Sequence, residues 1–191
     1  MANQMAELVV TEFVTLDGVM EAPGGEPTHP HSGWALEHYS DEYGEFKMQE
    51  TMEAGSQLLG RVTYESFAGA WPQRSGPFAE KFNSMPKYVV TSTLDELEWE
   101  NSTRLEGDVV AAVERLKQEE SEPILVAGSQ TLVHTLLEHD LVDQLTLMVF
   151  PVILGSGKRV FPESADKRTL ELVESKTLPK GVQVSVYRRA K

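Results

Sequence analysis

Apolar and polar positions follow two rhythms along the chain, and each rhythm predicts a different kind of element. Leu8-Val9-Val10-Thr11-Glu12-Phe13-Val14-Thr15 is dense in β-branched and aromatic residues and is bounded by Asp17-Gly18, so it reads as a strand ending at a loop. Tyr39, Tyr43, Phe46 and Met52 recur at near-helical spacing among Asp41, Glu42 and Glu45. With Ser40 able to cap the start, residues 40–54 read as a helix that Gly55 ends. Ser56 to Leu59 predicts a short strand running into Gly60-Arg61, followed by a helix from Val62 to Phe67. Lys87 to Thr91 predicts a buried strand after a turn at Pro86. Val109, Val110, Val113 and Leu116 mark a helix opened by Asp108, and Pro123 separates it from the apolar strand Ile124 to Ala127. Gly128-Ser129 opens a further helix carrying Leu132, Val133, Leu136 and Leu137. Val142 to Leu154, Leu170 to Leu178 and Val182 to Arg188 close the chain as strands, the last two joined at Pro179-Lys180-Gly181.

Alternating strands and helices followed by a hairpin predict an α/β fold with a mainly parallel sheet and an antiparallel C-terminal hairpin. With 191 residues and no repeat, low-complexity tract or linker, one domain over residues 1–191 is expected. Leu16 to Gly33 breaks the pattern: Pro23, Gly24, Gly25, Pro27 and Pro30 leave it without periodicity. So long an irregular stretch suits a lid or binding loop, with Trp34 closing it.

Composition narrows the function. At 40% hydrophobic and 25% charged residues the chain is neither disordered nor fibrous. Lys and Arg total 17 against 30 Asp and Glu, and the net charge of −13 opposes coating nucleic acid or anionic membrane, so a phosphate ligand needs a local basic pocket. The absence of cysteine excludes disulfides, thiolate metal sites and thiol nucleophiles. Met1 to Glu7 is polar and acidic and no run of 18 apolar residues occurs, so a cytoplasmic protein without a membrane partner is expected.

Two strand-to-helix junctions have the composition of a phosphate site. In Leu58-Leu59-Gly60-Arg61-Val62-Thr63 the glycine admits a ligand to the backbone, the helix start offers N–H groups and Arg61 offers a bidentate cation. Val126-Ala127-Gly128-Ser129-Gln130-Thr131 repeats the arrangement beyond another buried strand. Either junction alone also suits a tight turn and a helix start; together they point to a dinucleotide. The usual G-x-G-x-x-G fingerprint is absent, because Gly155-Ser156-Gly157 continues Lys158-Arg159-Val160. No serine elbow, Walker loop or H-E-x-x-H element occurs, and His29, His31, His38, His134 and His139 lack metal-ligand spacing, so no metal is expected.

Taken in order, Thr15-Leu16-Asp17-Gly18, Leu59-Gly60-Arg61-Val62-Thr63-Tyr64-Glu65, Val90-Thr91-Ser92, Val126-Ala127-Gly128-Ser129 and Pro151-Val152-Ile153-Leu154-Gly155-Ser156-Gly157 resemble the dihydrofolate reductase-like superfamily. The closer resemblance is to the reductase (C-terminal) domain of the riboflavin-biosynthesis deaminase-reductases. It implies a three-layer α/β/α fold, NADPH-dependent reduction of a small heterocycle, and a homodimer. It implies that Arg61 faces the adenosine 2′-phosphate, that Thr63 opens the helix at the pyrophosphate beside Gly60, and that Thr91 and Ser92 lie on a second phosphate side. Val126, Gly128, Ser129, Gln130, Thr131 and Leu132 would form the turn and helix start holding the pyrophosphate from the other side, and Val152 to Phe161 would border the coenzyme or a neighbouring subunit.

The chain departs from folate reductases at Ala127-Gly128, where they carry Gly-Gly, and it shows no Pro-Trp substrate-loop motif at the matching place. It departs from riboflavin reductases at Val19, where they carry Lys. The fused deaminase needs a His/Cys zinc site, which a chain without cysteine lacks, so the resemblance is to the reductase half. Hydride transfer to C=N or C=O also requires a proton. Glu42, four residues before Phe46, matches the folate reductases' helix carboxylate; Asp41 and Glu45 are equally reachable, and Asp17 is a second candidate, for orienting substrate. Reduction of another small carbonyl or nitro compound stays open, as does an NADPH or flavin binder without turnover.

Overall fold

The computed structural model describes residues 5–163 and 166–190. The expected domain ends, Met1 and Lys191, lie outside the described residues. Strands β1 (Leu8–Thr15), β2 (Ser56–Gly60), β3 (Lys87–Val90), β4 (Ser102–Arg104), β5 (Ile124–Ala127), β6 (Gln144–Phe150), β7 (Leu170–Thr177) and β8 (Gln183–Arg189) form one sheet among the described residues, in the order β4-β3-β2-β5-β1-β6-β8-β7. The pairs from β4 to β6 are parallel, whereas β8 runs antiparallel to β6 and to β7.

Helices α1 (Asp41–Glu53), α2 (Arg61–Ala70), α3 (Pro77–Ser84), α4 (Val109–Glu119) and α5 (Gln130–Glu138) cover the sheet. β1 shows why there are three layers, since successive residues of a strand face opposite sides. Leu8, Val10 and Val14 pack with Val113 and Leu116 of α4 and Leu132, Val133 and Leu136 of α5. On the other side Val9 packs with Ala54 and Leu125, and Phe13 meets Tyr43 of α1 edge to face. Chain crossovers leave β1 towards β2 and leave β5 towards β6, so the topology reverses between the adjacent strands β1 and β5. Crevices at such reversals, beyond the carboxyl ends of the strands, are where open α/β sheets bind ligands.

Most predicted elements stand within a few residues. Ser40 caps α1 by accepting from the Tyr43 amide, and Asp108 caps α4 by accepting from the Ala111 amide. Gly55 does not end α1 through a left-handed turn: the C-cap is Ala54, in extended conformation. Gly55 is needed instead for close approach, since a Cβ there would lie 2.5 Å from the Cβ of Glu122. The strand expected over Val142 to Leu154 shortens to β6, because the chain turns away at Pro151 and the Leu16 amide donates to the Val152 carbonyl at 2.9 Å. Two elements go beyond the sequence reading. α3 opens at Gly76-Pro77, with Phe78 stacked on Trp71 and Phe82 tilted against it, and β4 is a three-residue polar edge strand.

The Leu16–Gly33 segment is anchored rather than loose. Val19, Met20 and Ala22 are buried, and the Met20 amide donates to the Lys158 carbonyl at 2.8 Å. Trp34, expected to close a lid, is a core side chain: it is 4% exposed, lies edge to face on Phe150, and donates Nε1–H to the Glu21 carbonyl at 2.8 Å.

Candidate functional site

The two glycine corners meet at the carboxyl edge of the sheet. Gly60 ends β2 and opens α2; Gly128 follows β5 and, with Ser129, turns into α5. Both Gly128 and Ser129 adopt φ +59°, a left-handed pair. The Gly60 amide donates to Ser129 Oγ at 2.9 Å, and the Ser129 amide donates to Thr63 Oγ1 at 2.8 Å. A Cβ on Gly128 would lie 2.9 Å from Thr63 Oγ1, closer than real Cβ atoms come, so only glycine lets the corners interlock.

Neither helix start is closed by its own cap side chain. The first N–H groups of a helix have no intrahelical acceptor and carry the positive end of its dipole. Two such ends converge here above β2 and β5, an arrangement suited to an anion. Val126 and Leu132 are buried beneath it. Gln130 ties the start of α5 to the 155–160 loop, donating Nε2–H to the Arg159 carbonyl at 3.2 Å, and Thr131 is exposed.

Arg61 and Thr91 leave neighbouring strand ends, since Gly60 pairs with Val90. The Arg61 guanidinium lies 2.7 Å from Glu65 of the same helix, with both side chains nearly half exposed. Thr91 Oγ1 accepts from the amides of Thr93 and Leu94, which turns the chain after β3 and leaves Ser92 exposed.

Asp17 has a different surrounding. Its carboxylate accepts from Thr15 Oγ1 at 2.6 Å and from the amides of Leu154 at 3.2 Å and Gly155 at 2.8 Å. These bonds favour the ionised form and hold its pKa at about 2, led by the Thr15 hydroxyl. The Arg159 guanidinium donates to the Asp17 carbonyl, and Val19 bridges to Arg159. Asp17 therefore fastens the first loop to the 151–160 loop. Glu42, with Asp41, lies in the exposed first turn of α1, and Glu45 is also exposed. Beside them Tyr43 turns inward against Phe13 and Phe150, and burial raises its hydroxyl pKa so that it stays protonated. His29 is engaged in the loops: its Nδ1 accepts from the His31 amide and its Nε2 lies 3.2 Å from the Ser156 carbonyl.

One residue of the site was missed. Glu12, on the central strand β1, is 4% exposed, and its Oε2 accepts from the Gly128 amide at 3.1 Å. Its Oε1 is buried with no partner. Burial raises its pKa well above the usual carboxylate range against the lowering effects of the Gly128 amide and Lys47. The available signal was a glutamate as the one charged residue inside LVVTEFVT, since charged residues are almost never fully buried without a partner.

Comparison with known proteins assigns the chain to a family. Two uncharacterised proteins of Bacillus subtilis (strain 168) are similar along nearly their whole length. YwjB is 30% identical over 92% of this chain and 94% of its own, and YyaP is 27% identical over 98% of each. Among solved structures, a putative riboflavin biosynthesis protein from Shewanella sp. PV-4 superposes with a TM-score of 0.76 at 18% identity, covering 97% of this chain and 99% of that one. A dihydrofolate reductase from Enterococcus faecalis, complexed with NADP(H), superposes with a TM-score of 0.62 at 18% identity, covering 97% of each chain. These structural likenesses establish a dihydrofolate reductase-like fold. The family model described as the RibD C-terminal domain matches residues 6–184, and the chain belongs to that family.

Proposed function

We propose that the protein is an NADPH-dependent oxidoreductase that reduces a small heterocycle of pyrimidine or pterin type, in the manner of 5-amino-6-(5-phosphoribosylamino)uracil reductase or dihydrofolate reductase. The observation that carries this reading is the interlock of the Gly60 and Gly128 corners, which sets two uncapped helix starts side by side at the topological reversal. The residues fit an anionic dinucleotide: two helix starts without cap side chains lie side by side, and the lining supplies amides, hydroxyls and one guanidinium. The similar Enterococcus faecalis enzyme with NADP(H) bound supports the same choice.

On this reading the coenzyme supplies a hydride, and the chain's own groups position it and manage the proton. The first-turn amides of α2 and α5 hold the pyrophosphate, with Gly60, Thr63, Gly128, Ser129, Gln130 and Thr131 shaping the cradle over Val126 and Leu132. Arg61, shared with Glu65, faces the 2′-phosphate, with Thr91 and Ser92 beside it. Phe13, Tyr43 and Phe150 give an apolar wall that excludes water. Asp17 holds the Leu154-Gly155 backbone and so orients the loop above the substrate, and Glu42 or a water at the start of α1 returns the proton. Two copies pair through β7, which is exposed at all eight positions.

The test is oxidation of NADPH, followed by the absorbance of the reduced nicotinamide, against pyrimidines, pterins, carbonyls and nitro compounds. Turnover with a pyrimidine or pterin supports the proposal, and turnover only with a carbonyl or nitro compound moves the substrate class. Tight NADPH binding with no oxidation of any compound supports a binder without turnover instead.

A further inference from the structure

Among the described residues, Glu12 is the one buried carboxyl that touches the Gly128 turn, and nothing in the proposed reduction requires it. Its strand neighbour on β6 is the buried, uncharged Leu147, and beyond the end of β5 its side chain reaches the Gly128 amide. The elements around it bring little charge. The turn before α5 presents Gly128 and Ser129, and α2 presents the Thr63 hydroxyl, with the Arg61–Glu65 pair exposed at its start. From α1, Lys47 and Glu50 act on Glu12 in opposite senses, and the Lys47 ammonium is bound to Glu50 and to Thr11 Oγ1. A carboxylate here would be a charge in a low-dielectric place, offset only by the Gly128 amide and by a Lys47 already bound to Glu50, with Oε1 unable to reach water. The neutral acid suits the site better, since it keeps the Gly128 amide bond without the buried charge.

We propose that Glu12 is a positioning residue for the coenzyme: as the neutral acid it holds the Gly128–Ser129 turn open to an anionic dinucleotide, and as the carboxylate it repels that dinucleotide, so that binding takes up a proton. This inference rests on the dinucleotide reading above. Its physical basis is that a charged carboxylate on the Gly128 amide would place a negative group against the same turn that receives the phosphates, where like charges disfavour one another and water cannot screen them.

The experiment is calorimetric titration of the purified protein with NADPH and with NADH, whose pyrophosphate has no group titrating near neutrality. It is carried out from about pH 6 to about pH 9, in buffers of different ionisation enthalpy, for wild type, Glu12→Gln and Glu12→Ala. The expected result is a wild-type dissociation constant that rises by up to about tenfold per pH unit above the folded pKa of Glu12, with proton uptake for both coenzymes. Glu12→Gln, the neutral isostere, should keep the tight low-pH affinity at every pH, whereas Glu12→Ala, which leaves the Gly128 amide unbonded, should bind weakly at every pH.

A ligand-free measurement accompanies it. Because the folded pKa is raised, the stability linked to Glu12 is complete below about pH 4.5 and is lost as pH rises through the folded value. Glu12→Gln should therefore melt above wild type at alkaline pH, and the two should converge in acid. Identical pH profiles of affinity in wild type and Glu12→Gln overturn the inference, as does an absence of any alkaline stability difference. If neither protein binds either coenzyme at any pH while the stability difference is present, the dinucleotide reading has failed and this inference falls with it.

Discussion

Single atoms decide what the carboxyl edge can hold. At Gly128 the backbone is left-handed and the space above Cα belongs to Thr63. Gly128→Ala pays a left-handed penalty of about 1–2 kcal/mol and forces Thr63 aside. It should lower the melting temperature and weaken NADPH at least tenfold, which thermal denaturation and calorimetry would read; unchanged coenzyme affinity would place the pyrophosphate elsewhere. Arg61 offers a second measurement. Arg61→Ala should cost NADPH about 1.5–3 kcal/mol, the loss of a charge-assisted contact, while sparing NADH. Equal losses for both coenzymes would remove Arg61 from the 2′-phosphate. Glu65→Gln should act in the opposite sense by freeing the guanidinium it now binds.

At the scale of elements, α3 and β3 are joined by a buried ammonium. Lys87 Nζ donates to the carbonyls of Asn83 at 2.5 Å, Met85 at 2.9 Å and Glu100 at 3.0 Å, and lies 4.3 Å from the Trp99 ring centre. Burial draws its pKa down to about 8, against the opposing pull of the Glu100 charge. Lys87→Met would leave those carbonyls without a donor, at a cost of about 3 kcal/mol. Urea denaturation should show the midpoint fall; a midpoint within error of wild type would mean that the carbonyls find other donors. From sequence, Lys87 was only the first residue of a strand, because a lysine that satisfies three carbonyls is indistinguishable in one dimension from one that meets water. The same limit hid α3, whose eight residues give few periods of the apolar pattern, although Gly76-Pro77 with Phe78 and Phe82 four apart was a readable start. The legible part was local: strand composition, the Ser40 and Asp108 caps and the two glycine corners all depend on near neighbours. That Gly60 would bond Ser129 is a contact across 69 residues, set by β2 and β5 lying side by side. Glu12 escaped for the same reason, since its meaning comes from Gly128 and not from its own strand.

Over the whole molecule, the sheet is well covered from β2 to β6 and bare at one end. β7 is the terminal strand, with Leu170, Leu172 and Val173 37%, 52% and 48% exposed. An open edge with apolar side chains invites pairing with another strand. Sedimentation of the purified protein should therefore give a dimer, and Leu172→Glu should shift it towards monomer. A wild-type monomer at high concentration would retire the pairing through β7. The net charge of −13 opposes such association over long range, so added salt should strengthen it.

The seam between the 16–22 and 151–160 segments has its own consequence. Asp17 grips Leu154 and Gly155, Val19 bridges Arg159, and the amides of Leu16, Met20 and Val160 cross between the two segments. Stitched at so many points, and with Val19, Met20 and Val160 buried in the core, the two segments behave as one unit, so a variant that cuts a single stitch, such as Asp17→Asn, should loosen both together.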